Sequence, residues 1–159
     1  MELKVQELTQ DSFAPFGSFF DVQAGYGDEI ISFLPDRMLQ YIGTPALDSI
    51  SSIRIQHRPL IVDVTEYHNG CEEVFGGFNC DLVFHVGLLG RDQKPDFNSF
   101  RLFRLPRGYF ARVKRMVLHH AGFVLNQNDV ATGIVLLPPA TYTIDCTVLP
   151  VEPKIKLIV

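Results

Sequence analysis

Two short segments of the chain concentrate the residues able to do chemistry. The first is Glu66-Tyr67-His68-Asn69-Gly70-Cys71-Glu72-Glu73-Val74-Phe75, in which a histidine and a glutamate stand five apart across an Asn-Gly turn. The second is Val117-Leu118-His119-His120-Ala121-Gly122-Phe123. Inward and outward residues alternate along the strands of a small barrel. A His and a Glu flanking a turn can therefore both face inward, where a later His on a neighbouring strand meets them. Two imidazoles and one carboxylate around a point suit one divalent metal ion or an acid/base pair. Neighbouring residues on a strand face opposite sides, so one of His119 and His120 points inward. Parity places His119 with Tyr109, Ala111, Val113 and Val117, the more apolar set, and favours His119. Glu73, directly before Val74-Phe75, is expected inward, and Glu72 is expected to solvate a strand end.

The elements that must position these groups are strands. From Ile53 onward apolar and polar residues alternate, as in Leu60, Val62 and Val64 against Ile61, Asp63 and Thr65. The expected strands cover Asp81–Leu88, the Phe100 to Leu105 region, Tyr109–Leu125, Ala131–Leu137, Tyr142–Leu149 and Ile155–Val159. Asn69-Gly70, Gly76-Gly77, Pro106-Arg107-Gly108 and Pro138-Pro139 separate or flank them. No long stripe of helical period appears. About eight strands at roughly 8–12-residue spacing predict an all-β barrel or sandwich with little helix. Upstream, Thr9 is a candidate N-cap for one helical turn ending at Pro15, and Ser18–Val22 reads as a strand. Residues 23–50, with Gly25, Gly27, Pro35, Gly43 and Pro45, read as irregular chain.

Composition narrows the function classes. At 159 residues the chain is expected to form one domain. A net charge of -4 argues against a general nucleic-acid binder. The apolar runs fall far short of the ~20 residues of a membrane span. The first residues carry no apolar signal region, and three cysteines form no C-x-x-C pair; the expectation is a cytoplasmic protein with reduced thiols. Phosphate loops, nucleophile elbows and H-E-x-x-H are missing from the sequence. Arg101, Arg104, Arg107, Arg112, Lys114 and Arg115 form a basic run without an acid. Most of it should be solvated; Arg104 and Arg112 are the candidates to reach a barrel mouth and fork a small carboxylate. Cys71 is expected to line the site, His85 to be a hydrogen-bonded core histidine, and His57 to lie at the surface or an interface.

The same residues carry a resemblance. The chain resembles small cupins, with Glu66 where the first His of their usual pair stands. More closely, it resembles the ureidoglycolate lyase (ureidoglycolate hydrolase) family. The resemblance rests on Leu8-Thr9-Gln10-Asp11-Ser12-Phe13-Ala14-Pro15-Phe16-Gly17, on His68 with Glu73-Val74-Phe75, and on Leu118-His119-His120-Ala121. It spans residues 8 to about 125. The chain departs from that family in having Glu73 for its usual Gln, Tyr67 for its Arg, and no Trp and Pro framing the histidines. The resemblance implies a double-stranded β-helix, a cupin-like jelly roll over residues 1–159, in a homodimer. It also implies cleavage of ureidoglycolate, a small carboxylate-bearing substrate, to glyoxylate and urea in purine (allantoin) breakdown. In that chemistry His119 or His120 is the base, His68 a donor or orienting group, and Glu73 fixes a tautomer. A second expectation is a metal-dependent cupin enzyme, such as a sugar isomerase or epimerase, with His68, Glu73 and His119 as ligands. The third is a small-molecule-binding barrel without chemistry. A partner chain pairing with the strand Ile155–Val159 is the expected dimer contact.

Overall fold

Strands dominate the computed structural model, which describes residues 1–22 and 49–159. All but the last two residues of the expected irregular stretch 23–50 lie outside the described residues. The elements in chain order are β1 (Glu2–Glu7), α1 (Gln10–Phe13), β2 (Gly17–Asp21), β3 (Ser49–Gln56), β4 (Ile61–Tyr67), β5 (Glu73–Gly76) and β6 (Leu82–Leu89). They continue with β7 (Pro95–Leu105), β8 (Tyr109–Val113), β9 (Leu118–His119), β10 (Phe123–Val124), β11 (Val130–Leu137), α2 (Thr141–Ile144) and β12 (Thr147–Ile158).

The strands form two units. One sheet runs β6-β7-β1-β12-β4-β9 and returns from β9 to β6, a closed six-strand ring, with β10 also paired to β6. The other is an open sheet in the order β2-β8-β5-β11-β3. The pairing is antiparallel except at β1, which runs parallel to both β12 and β7. The all-β, jelly-roll-like architecture expected from the alternation is present.

Two cores follow from this arrangement. Leu3, Val62, Val83, Phe100, Leu102 and Leu118 fill the ring. Phe13, Phe75, Phe84, Phe103, Val113 and Val135 pack between the ring and the open sheet. Strand β6 feeds both: Val83 points into the ring, while Phe84 and Val86 face the open sheet. That explains its unbroken buried run from Leu82 to Gly87. Each fully buried Phe contributes up to about 3 kcal/mol. Phe13 is held in the inter-sheet core by α1, whose Thr9 side chain accepts from the Ser12 N–H in a reciprocal cap. The expected N-cap is therefore observed, and it aims Phe13 edge-on at Phe84 and Phe103.

Three expectations are corrected. Tyr109–Leu125 is three strands, because the chain leaves the open sheet after β8 and crosses to the ring at β9. The crossing needs a turn, made at Met116 with φ 64° and tied by the Met116 N–H to the His68 carbonyl. Tyr142 begins no strand: Pro138-Pro139 and the left-handed Ala140 start α2 instead. The separate strands expected to end at Leu149 and to start at Ile155 are one, β12. β12 runs through Pro150 and Pro153 with a register shift between Pro150 and Ile155, which accommodates residues that cannot donate to the ladder. The C-terminal strand is consequently no free edge, being paired with β1 on one side and β4 on the other. The edge-pairing argument for a dimer is lost. No helix among the described residues is long and apolar enough to cross a membrane.

Candidate metal centre

His68, Glu73 and His119 converge. Their ligating atoms all lie within 4.8 Å of one another, and they form a potential metal-holding group. His68 follows the last residue of β4, Glu73 opens β5 and His119 ends β9. The site thus lies where the ring meets the open sheet. His119 stands opposite both Val86 and Glu66 in register, so it faces the inter-sheet space with Val86 rather than the ring interior. The expected lumen is therefore the space between the two sheets, because the ring is filled by its own side chains.

One carboxylate oxygen serves both imidazoles. Glu73 Oε2 lies 3.1 Å from His68 Nε2 and 3.0 Å from His119 Nε2. The other nitrogen of each ring is committed to the main chain. His68 Nδ1 is 2.7 Å from the Asp145 carbonyl and His119 Nδ1 is 2.8 Å from the Val117 carbonyl. A carbonyl only accepts, so both Nδ1 atoms carry hydrogen. In the neutral rings both Nε2 lone pairs then point at an anionic oxygen, an arrangement that needs a cation at its centre: protons or a metal ion. Nδ1–H to carbonyl is also the outer-shell bond that orients metal-ligating histidines. The 3.0 and 3.1 Å spacings are those of hydrogen bonds, and an ion held by the three groups would need the carboxylate oxygen to draw back from the lone-pair axes.

The electrostatics agree. Burial works to raise the Glu73 carboxyl, but hydrogen bonds and charge from His119 and then His68 outweigh it and hold it at about 2. Burial works to lower His119, and the bond and charge of Glu73 overcome that and raise it. His120 is half-buried and its pKa is lowered, burial being the main cause. It does not join the three, but with Glu73, Ile53 and Phe78 it lines a cavity of about 20 Å³ at the site, enough for about one water molecule. His119 is thus the buried histidine, as expected.

The arginines go elsewhere. The Arg104 guanidinium is half-exposed and binds Asp81, with Nε 3.0 Å from Oδ2 and Glu7 nearby. Arg112 lies on the outer face of the open sheet, its neighbours Ala111 and Val113 facing the core, and it pairs with Glu72 at 3.3 Å. Neither reaches the three converging groups. Glu72 is a correction: it is 5% exposed rather than solvated, because Arg112 pairs with it across the β5–β8 ladder.

The sequence reading of His85 holds. His85 is buried, stacks on Phe100 and bonds Thr65 Oγ1 at 3.1 Å. Burial, followed by the charges of His119 and His120, pushes its pKa to about 3. Thr65 in turn donates to the His119 carbonyl, bracing the strand that carries that histidine. Cys71 is buried near Asp145, burial pushing its thiol up to about 12. All three cysteines are free, and His57 is half-buried. Sequence reasoning missed Asp145, which builds the His68 turn. Its carboxylate accepts from the Asn69 N–H at 2.8 Å and the Gly70 N–H at 2.9 Å, while its carbonyl holds His68. Glu66, which the sequence placed at a cupin position without a role, is buried opposite His119 and accepts from Cys146 Sγ at 3.2 Å. Asp145 lies 77 residues from His68, and no local pattern links them.

No protein-family model matches the chain, and no curated protein matches it.

Proposed function

We propose that the chain is a metal-dependent enzyme that holds one divalent ion between His68, Glu73 and His119 and acts on a small molecule entering between the two sheets. The observation that carries this reading is the double commitment of both Nδ1 hydrogens to main-chain carbonyls, which leaves two Nε2 atoms facing one carboxylate oxygen. Two imidazoles and one carboxylate with open positions suit a first-row divalent metal. When bound, such an ion acts as a Lewis acid toward an oxygen of the substrate. The protein's own part is to hold the three groups in register. The β4–β9 pairing and Thr65 fix His119, the Asp145 turn fixes His68, and the start of β5 fixes Glu73. Phe75 and Phe78 bound the site on its apolar side.

The ureidoglycolate lyase-like reading uses the same groups without an ion, with His119 as base and Glu73 orienting it. The sequence resemblance supports it. The positions of Arg104 and Arg112 weigh against it, since the substrate carboxylate then lacks the fork expected for it. Metal analysis of the purified protein, paired with urea release from ureidoglycolate with and without chelator, separates the readings. The expected result is about one equivalent of a divalent metal, lost in His68→Ala and in His119→Ala. Urea release that is indifferent to chelator, from protein that takes up no metal, refutes the metal reading and supports the lyase. Neither metal nor urea release leaves a binding barrel.

A further inference from the structure

A cleft of about 180 Å³ opens beside the proposed metal centre, between β3 and the turn into α2. Strand β3 is an edge of the open sheet. Its Ser49, Ser51 and Ile53 share a strand face with Ile55, which is buried in the inter-sheet core. Thr141 and Tyr142 close the other side. Ile53 lines both this cleft and the small cavity that contains Glu73 and His120, so the two spaces adjoin.

The lining has a definite chemistry. Among the described residues it carries no charge: three serines, one threonine and one tyrosine stand among aliphatic side chains, proline and alanine. A carboxylate or phosphate ligand finds no cation there, and a purely apolar ligand would strip water from the hydroxyls without replacing their hydrogen bonds. Ser49 Oγ donates to the Leu137 carbonyl at 2.7 Å, and Thr141 Oγ1 donates to the Pro138 carbonyl at 2.7 Å. Their protons are committed, so their lone pairs are what they offer a ligand, and O–H groups are the donors that suit them. The Tyr142 ring, 73% exposed, adds a flat face for C–H groups. The volume is well below the roughly 300–1,000 Å³ of pockets for drug-sized ligands.

We propose that this cleft is the substrate subsite of the metal centre and takes a small, uncharged, polyhydroxylated molecule of monosaccharide or polyol class. The proposal rests on the metal reading of the three converging residues and narrows it from a small molecule to a neutral one.

The test titrates D-xylose and D-mannose, with D-gluconate and glyoxylate as anionic counterparts, into metal-free and cobalt(II)-loaded protein. Protein-observed NMR reports binding, and the visible absorption of the cobalt reports contact with the metal centre. The expected result is millimolar binding of at least one neutral sugar, tighter than either anion, with a change in the cobalt absorption. Tyr142→Ala, at an exposed position, should weaken that binding at least tenfold and leave metal content unchanged. Ser51→Val should weaken it in the same direction. The proposal is overturned if neither sugar binds, if the anions bind more tightly, or if Tyr142→Ala leaves sugar binding as it was. Failure of the wild-type protein to take up cobalt overturns the metal reading instead, while the NMR titration of metal-free protein still decides whether the cleft takes a sugar.

Discussion

Replacing Glu73 by Gln removes the only charge from the proposed ligand set and leaves its size almost unchanged. The amide still bonds one histidine, but the metal-free fold loses the charge pairing of Glu73 with His119 and His68, so its own Tm should fall; the metal-induced rise, read from each protein's own metal-free baseline, is the comparison. The metal response should change greatly. Loss of an outer-shell partner alone costs 10–100-fold in metal affinity, so loss of an anionic ligand should cost at least about 100-fold. With metal at 100 times its Kd, the wild type gains about 2.7 kcal/mol from binding to the native state. For a chain of this size that corresponds to a rise in Tm of about 5–11 °C. At the same metal concentration the variant, with its Kd raised 100-fold, retains about 0.4 kcal/mol, a rise of about 1 °C. Thermal unfolding followed by circular dichroism, with and without zinc or cobalt, makes the comparison in a chain that contains no tryptophan. Glu72→Gln is the matched control. It breaks the Arg112 pair on the outer face and should lower Tm without altering the metal-induced rise. Equal metal-induced rises in wild type and Glu73→Gln, or none in either, would refute the reasoning.

In chelator the same groups should give stability a pH signature. The share from Glu73, whose carboxyl is held at about 2, is complete above the ordinary carboxylate value of about 4.3 and is lost as pH falls through about 2. The share from His119, whose pKa is raised, is complete below about pH 6.5 and is lost as pH rises through its elevated value. A Tm-against-pH series on wild type and His119→Asn should show that alkaline decline only in the wild type. Phe13→Ala empties the point where Phe84 and Phe103 meet α1, 5.8 and 5.2 Å away between ring centroids, and should cost about 3–5 kcal/mol in urea unfolding; a loss under about 1 kcal/mol would mean that α1 does not anchor this core. Gly17→Ala places a methyl 1.7 Å from the Arg112 carbonyl oxygen, so β2 must part from β8. Soluble expression and Tm should both fall, and an unchanged Tm would contradict the β2–β8 register.

Much of the strand content was legible in the sequence, because a side-chain period of two survives wherever one sheet face is buried. That period set Leu60, Val62 and Val64 on a strand; His119 is the buried histidine as expected, but the Met116 turn breaks the strand along which the parity was counted. Thr9 announced its cap because capping is a three-residue affair. The Asn69-Gly70 turn and the five-residue spacing sufficed to nominate His68 with Glu73. Period two states which side chains share a face, but it is silent on what that face meets. Only the tertiary structure paired Arg112, which stands opposite Val74 on β8, with the buried Glu72, and drew Arg104 to Asp81 instead of the site. Only the ring closure through β9 moved the expected lumen to the gap between the sheets. Strand β1 carries the same period, with Leu3 and Val5 against Glu2, Lys4 and Gln6, but its parallel pairing to residues about 100 and 150 positions away has no local signal. The backbone carbonyls of Asp145 and Val117, which turn two histidines toward one carboxylate, carry no side-chain signature at all. Local chemistry nominated His68, Glu73 and His119, and long-range strand pairing decided that they meet.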